Sequence, residues 1–148
     1  MMVGGPPFRG GPQKRRLKDL KGPLAEPPRT PARLIAFAEG VARFDAGAYW
    51  DAHEAWERAW LDFGNGPEDD AEIVLRGLIQ LAAALHQAQG AKGGQGGRSN
   101  LDKAAPKLKL WKGPFWGVDL NPVNRAVADA KGDPSPLLGL TLGGHAAG

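Results

Sequence analysis

Tyr49-Trp50-Asp51-Ala52-His53-Glu54-Ala55-Trp56-Glu57-Arg58-Ala59-Trp60 is the stretch whose reading decides the fold of this chain. At helical spacing Tyr49, His53, Trp56, Glu57 and Trp60 fall at i, i+4, i+7, i+8 and i+11, so they share one face. Three of the five are large aromatics, which sets that face against a core. The other two are an imidazole and a carboxylate one turn apart. Polar groups in an apolar stripe are expensive unless they are hydrogen-bonded, paired or bound to something. The His53–Glu57 pair is therefore the first candidate for a functional site.

Working outward, Leu34, Phe37, Ala38, Val41 and Phe44 recur on one side of a helix that opens near Pro31, a good first-turn residue. Asp45-Ala46-Gly47 interrupts it, and Asp45 is the expected cap of the aromatic helix, which runs to about Asp62. Phe63-Gly64-Asn65-Gly66-Pro67 is a stop and turn. Glu68, Asp69 and Asp70 then crowd the start of the next helix, where carboxylates suit the positive end of the dipole. That helix, residues 71–88, is apolar on all sides from Gly77 to Leu85 except at Gln80, so other helices must surround it. Gly77, Ala82, Ala83 and Ala84 would let neighbouring backbones approach closely.

Residues 90–97 form a Gly-rich connector, not a phosphate loop, since no Gly-Lys-Ser/Thr follows. Ser99 and Asp102 resemble a capping box that would start a third helix, which Pro106 should kink. An aromatic turn follows at residues 115–119. A last short helix has Asn121 as cap and Pro122 at its first position, and stops at Lys131-Gly132. No β-rich alternating segment occurs. The expected fold class is all-α: a compact bundle of four to five helices with disordered N- and C-terminal tails.

A chain of 148 residues has room for one ordinary domain. Its 22 glycines and 13 prolines concentrate at the ends. The expected organisation is a disordered, basic Pro/Gly-rich tail over residues 1–31, a helical bundle over 32–131 and a flexible C-terminal tail over 132–148. The net charge of +3 conceals an asymmetry, because residues 1–31 hold seven Lys or Arg against Asp19 and Glu26. The remainder is mildly acidic. Cysteine is absent, which excludes disulfide scaffolds, thiolate metal sites and cysteine nucleophiles. With no apolar run long enough for a membrane span and no signal-peptide core, a soluble cytoplasmic protein is expected. The basic tail could make weak, salt-sensitive contact with nucleic acid. Lys103 and Lys107, with Lys109 and Lys112 around Trp111, make a basic, aromatic edge that could touch nucleic acid and is read first as a solvated helix face. His145 is read as a solvated tail residue.

Two further polar residues, Gln80 and His86, lie on the central helix, antiparallel to the aromatic one. Counting from the turn at ~1.5 Å per residue, Gln80 falls level with His53, and Gly77 with Glu57. His86 falls roughly 9 Å further along, towards Tyr49. Glu54 is turned ~100° from His53 and precedes Arg58 by one turn, as in a surface ion pair. Three explanations remain open. Glu57 could accept hydrogen bonds from His53, Gln80 or an indole, in a buried network that only fixes helix register. Alternatively His53 and Glu57, with His86 as third ligand and water as fourth, could hold a divalent metal such as zinc, Glu54 or Gln80 positioning water. Thirdly, His53 and Glu57 could be a metal-free acid/base dyad, although no Ser, Thr or Cys nucleophile lies near them in sequence.

The residues Phe44-Asp45-x-Gly47-x-Tyr49-x-x-Ala52-His53-Glu54-x-x-Glu57-x-x-Trp60 resemble the first signature of a family of small bacterial proteins, domain of unknown function 309. Gly77-Leu78-Ile79-Gln80-Leu81-Ala82-Ala83-Ala84-Leu85-His86 resembles the second. Ser99-Asn100-Leu101-x-Lys103-Ala104 and Gly117-Val118-Asp119 are similar to looser, later ones. The likeness spans about residues 34–130. It implies a compact α-helical bundle and the informal label "predicted metal-dependent hydrolase", with an unknown small-molecule substrate. The polar residues it carries over are His53, Glu54, Glu57, Gln80 and His86. Pro106 and the stretched glycine loop depart from the family pattern. The rival reading is a non-catalytic interaction or scaffold module whose polar core only specifies packing.

Overall fold

The computed structural model of the chain describes residues 11–90 and 95–143. Thr30 opens the bundle: its hydroxyl accepts from the Arg33 N–H at 3.2 Å, and Pro31 takes the first position of α1 (Pro31–Asp45). α2 spans Tyr49–Leu61 and α3 spans Glu72–Gln89. α4 runs from Gln95 to Leu108 and α5 from Leu120 to Ala130. Between the last two lies a hairpin of two-residue strands, β1 (Pro114–Phe115) and β2 (Val118–Asp119), paired antiparallel. Its turn residues Trp116 and Gly117 both have positive φ, 47° and 87°, as the two-residue turn of a tight hairpin demands. Among the described residues the fold is an all-α bundle of five helices, within the four to five that the periodicity predicts, with this small hairpin in place of a plain aromatic turn.

The core forms where α3 is enclosed. Ile73, Val74, Leu75, Leu78, Leu81, Ala82, Ala84 and Leu85 are buried, packed by α2 on one side and α4 on another. Gly77 is the crossing point with α4: a Cβ there would lie 3.0 Å from Lys107 Cβ and 3.1 Å from Leu108 Cδ2. α1 meets α2 through aromatics. Phe37 lies 6.1 Å from Trp56 and Phe44 lies 5.7 Å from it, and the buried Trp56 indole donates to the Phe37 carbonyl at 3.1 Å. A buried indole N–H needs such a partner.

Several boundaries differ from expectation, each for a local reason. Asp45 does not cap α2, whose cap is Ala48 with no side-chain bond. Asp45 ends α1 instead, and its carboxylate accepts from the backbone N–H groups of Leu142 and Gly143 at 2.6 and 2.9 Å. Ser99 lies inside α4 rather than at its cap, because the helix already starts at Gln95. Pro106 lies within α4, as expected, two residues before its end. α5 is capped by Asp119, which accepts from the Asn121 N–H at 3.0 Å, while Asn121 Oδ1 accepts from Gly113. Glu68 and Asp69 lie on a single 3-10 turn (Pro67–Asp69), and Asp69 is buried against the Gly64 N–H and Arg33.

Within the segments expected to be loose tails, several of the described residues contact the bundle. Arg15 donates from its side chain to Asp70, Gln13 O, Gly64 O and Gly66 O. Further along, the Trp116 indole donates to Pro27 O at 3.0 Å, and Pro12 and Pro27 are buried. At the other end Leu137 and Leu142 are buried, and the Gly139 N–H donates to the Tyr49 hydroxyl at 3.1 Å. These stretches have no core of their own, but they lay proline, leucine and backbone donors onto a finished one. Residues 1–10 and 144–148, including His145, and connector residues 91–94 lie outside the described residues.

Candidate functional site

α2 carries the site, and its buried face is centred elsewhere than the aromatics suggest. Ala52, Ala55, Trp56 and Ala59 are fully buried, so three alanines let α2 approach its neighbours most closely there. At ~100° per residue, His53 falls at the edge of that stripe and Glu57 beyond it. The His53 side chain is accordingly 15% exposed and that of Glu57 51%. The expectation that both lie on a dry face holds for the imidazole and fails for the acid. His53 Nε2 and Glu57 Oε2 are 3.7 Å apart, an ion pair only when the imidazole is protonated.

Trp50, which the sequence reading passed over, organises this edge. It follows the same rim as His53 and Glu57, at i, i+3 and i+7. Its ring stacks on His53 with centroids 4.4 Å apart and an interplanar angle of 15°. It also packs on His86 of α3 at 5.2 Å. The two imidazoles are thus joined through an indole that is itself 46% exposed. Among the described residues no three His, Asp or Glu side chains converge to hold a cation. The set His53, Glu57 and His86 therefore consists here of one adjacent pair and one outlying, exposed imidazole. Glu54 is exposed, and Arg58 reaches across to Glu39 of α1 at 2.8 Å instead of pairing with Glu54.

Behind the rim, His53 Nδ1 and Gln80 Oε1 are buried without a hydrogen-bond partner among the described residues. Such atoms are ordinarily satisfied by a bridging water or a ligand group. Glu57 and Gln80 line one cavity of about 120 Å³, with Lys14, Trp60, Arg76 and Ile79. A charge network backs its wall. Fully buried Glu72 accepts from the Trp60 indole at 2.8 Å, from Arg76 Nε at 2.7 Å and from the Arg15 N–H at 3.0 Å. Arg76 in turn donates to Arg15 O at 2.6 Å. The i, i+4 spacing of Glu72 and Arg76 was a signal for this pair. Nothing in the sequence foretold that Lys14, from the N-terminal segment, would close the cavity.

A sequence profile described as Domain of unknown function (DUF309) matches residues 37–94. The matched span contains α2 and α3, and hence all five polar residues His53, Glu54, Glu57, Gln80 and His86. Over that span the chain resembles this family, whose description assigns no activity. No curated protein matches the chain.

Proposed function

We propose that this domain is a non-catalytic interaction module whose seat is the outer edge of α2, and that it receives a cationic group of a partner. One observation carries the reading: Trp50 is held half in solvent by a 4.4 Å stack on His53, with His86 against its ring. A large apolar ring left in water is informative where its geometry is fixed by neighbours. Glu54 and Glu57 follow Trp50 at i+4 and i+7 and are exposed. An ammonium or guanidinium would meet the exposed part of the indole and two carboxylates together. Each exposed cation–π contact contributes only about 0.5–1 kcal/mol, so the partner must present several such groups.

The test is an NMR titration of the full, tag-free chain with a blocked octapeptide of alternating Arg and Gly. The Trp50 indole and the His53 and His86 ring signals should shift together and saturate. Trp50→Ala and Glu54→Gln/Glu57→Gln should each weaken binding about two- to fivefold. Absence of shifts at these three rings, or unchanged affinity in Trp50→Ala, would overturn the proposal.

A second reading, a metal-assisted hydrolase site, is favoured by the partnerless His53 Nδ1 and Gln80 Oε1 beside Glu57. In that reading His53 and Glu57 would supply nitrogen and oxygen donors, and His86 would have to leave Trp50 to join them. A bound divalent ion would serve as a Lewis acid towards a small-molecule substrate.

A further inference from the structure

Away from that seat, the junction of α4, the hairpin and α5 forms a cleft of about 290 Å³ lined by Lys109, Trp111, Lys112, Asn121, Asn124 and Arg125. We propose that it is a binding site for single-stranded nucleic acid, stacking one base on Trp111 while its three cations meet the phosphates of that nucleotide and its neighbours. Lys109, Lys112 and Arg125 are exposed, and among the described residues none pairs with a carboxylate. Three cations around one cleft with no acid in its lining attract an anion.

The aromatic floor narrows the choice of anion. The Trp111 indole donates to Pro114 O at 2.7 Å, and the ring meets Phe115 edge-on at 5.2 Å and 86°. Its orientation is thus set before any ligand arrives, as a stacking platform requires. The asparagines supply polar edges. Asn124 donates its amide to Leu108 O and Trp111 O at 3.0 and 3.3 Å, which leaves its oxygen as an acceptor. Asn121 accepts from the Gly113 N–H through its oxygen, which leaves its amide as a donor. A planar heterocycle with donors and acceptors on its rim fits these groups, and its phosphates fit the cations. An acidic peptide would use the cations and the amides but leave the flat face of the indole without a stacking partner.

The test is fluorescence anisotropy with a labelled single-stranded uridine dodecamer and the full chain. Trp111→Ala should weaken binding about 5- to 100-fold, the range for losing one base stack. Trp111 also braces the hairpin, so the exposed Arg125→Glu serves as a second variant and should weaken binding in the same direction. The logarithm of affinity should fall against the logarithm of salt with a slope of about −2, as for three phosphate contacts on a single strand. Unchanged binding in Arg125→Glu would overturn the proposal, as would a larger loss in the N-terminal control Lys18→Glu/Lys21→Glu. Adenosine monophosphate binding as tightly as the dodecamer would overturn the strand assignment in favour of a free nucleotide. Equal competition by a glutamate dodecamer would overturn the nucleic-acid assignment in favour of an acidic peptide.

Discussion

Gly40 shows how much of this fold rests on single atoms. A Cβ at that position would fall inside the Trp56 indole, so α1 and α2 reach their spacing only because position 40 has no side chain. The same contact lets the Trp56 indole bond to Phe37 O. Gly40→Ala should therefore lower stability by about 1–3 kcal/mol, the usual range for overpacking, although alanine is the better helix former. Urea denaturation of the variant checks this; a stability gain would show that the two helices can separate freely. His53 poses the opposite problem at the same scale. Its ring is positioned by Trp50, yet Nδ1 lacks a partner among the described residues. That combination marks a residue whose orientation is set by stacking rather than by hydrogen bonding.

At the scale of elements, α4 crosses α3 so closely at Gly77 that a Cβ there would lie 3.0 Å from Lys107 Cβ. Burial, then the positive charges of Arg76, Lys103 and Lys14, hold its ammonium below the usual lysine range. The folded protein thus binds this proton less tightly than the unfolded chain. The group detracts from stability at neutral pH, and the loss fades as pH rises through the folded pKa towards 10.5. Lys107→Met should melt above the parent protein at pH 7, with the gap shrinking by pH 10.5. A gap that widens with pH would contradict the assignment.

Most of these helices were legible in the sequence because they carry an apolar stripe bounded by Gly or Pro, whereas α4 was read from the Ser99/Asp102 pattern, which lies inside it. Their caps were less so. Asp45 and Asn121 are good capping residues whose side chains are engaged elsewhere, by Leu142 and Gly143 and by Gly113. The site was legible in part for a related reason. The aromatics of α2 drew attention to a face including Glu57, whereas its alanines set the line of closest packing. A shift of that line put Glu57 outside and brought Trp50 to the edge.

Across the whole molecule, charge and chain direction are linked. The basic N-terminal segment lies over the α2–α3 turn, where Arg15 meets Asp70 and its N–H meets the buried carboxylate of Glu72. Glu26 and Pro27 then reach Trp116 at the hairpin. One segment thereby ties the α2–α3 turn to the hairpin, whose Trp116 packs on Phe63 of that turn at 5.8 Å. Deleting residues 1–28 should cost at least about 2 kcal/mol, since several bonds to charged groups are lost together. It should also raise acrylamide quenching of tryptophan. Unchanged stability and quenching would mean that the segment adds nothing to the fold.

In the proposed interaction module His53 and His86 wall an indole shelf and do not surround a cation. A zinc-edge anomalous difference map from a crystal of the full chain soaked in zinc chloride tests it most directly. The predicted map keeps both imidazoles against Trp50, with no peak shared among His53, Glu57 and His86. A peak about 2.0–2.1 Å from a nitrogen of each imidazole, with Glu57 alongside, would contradict it.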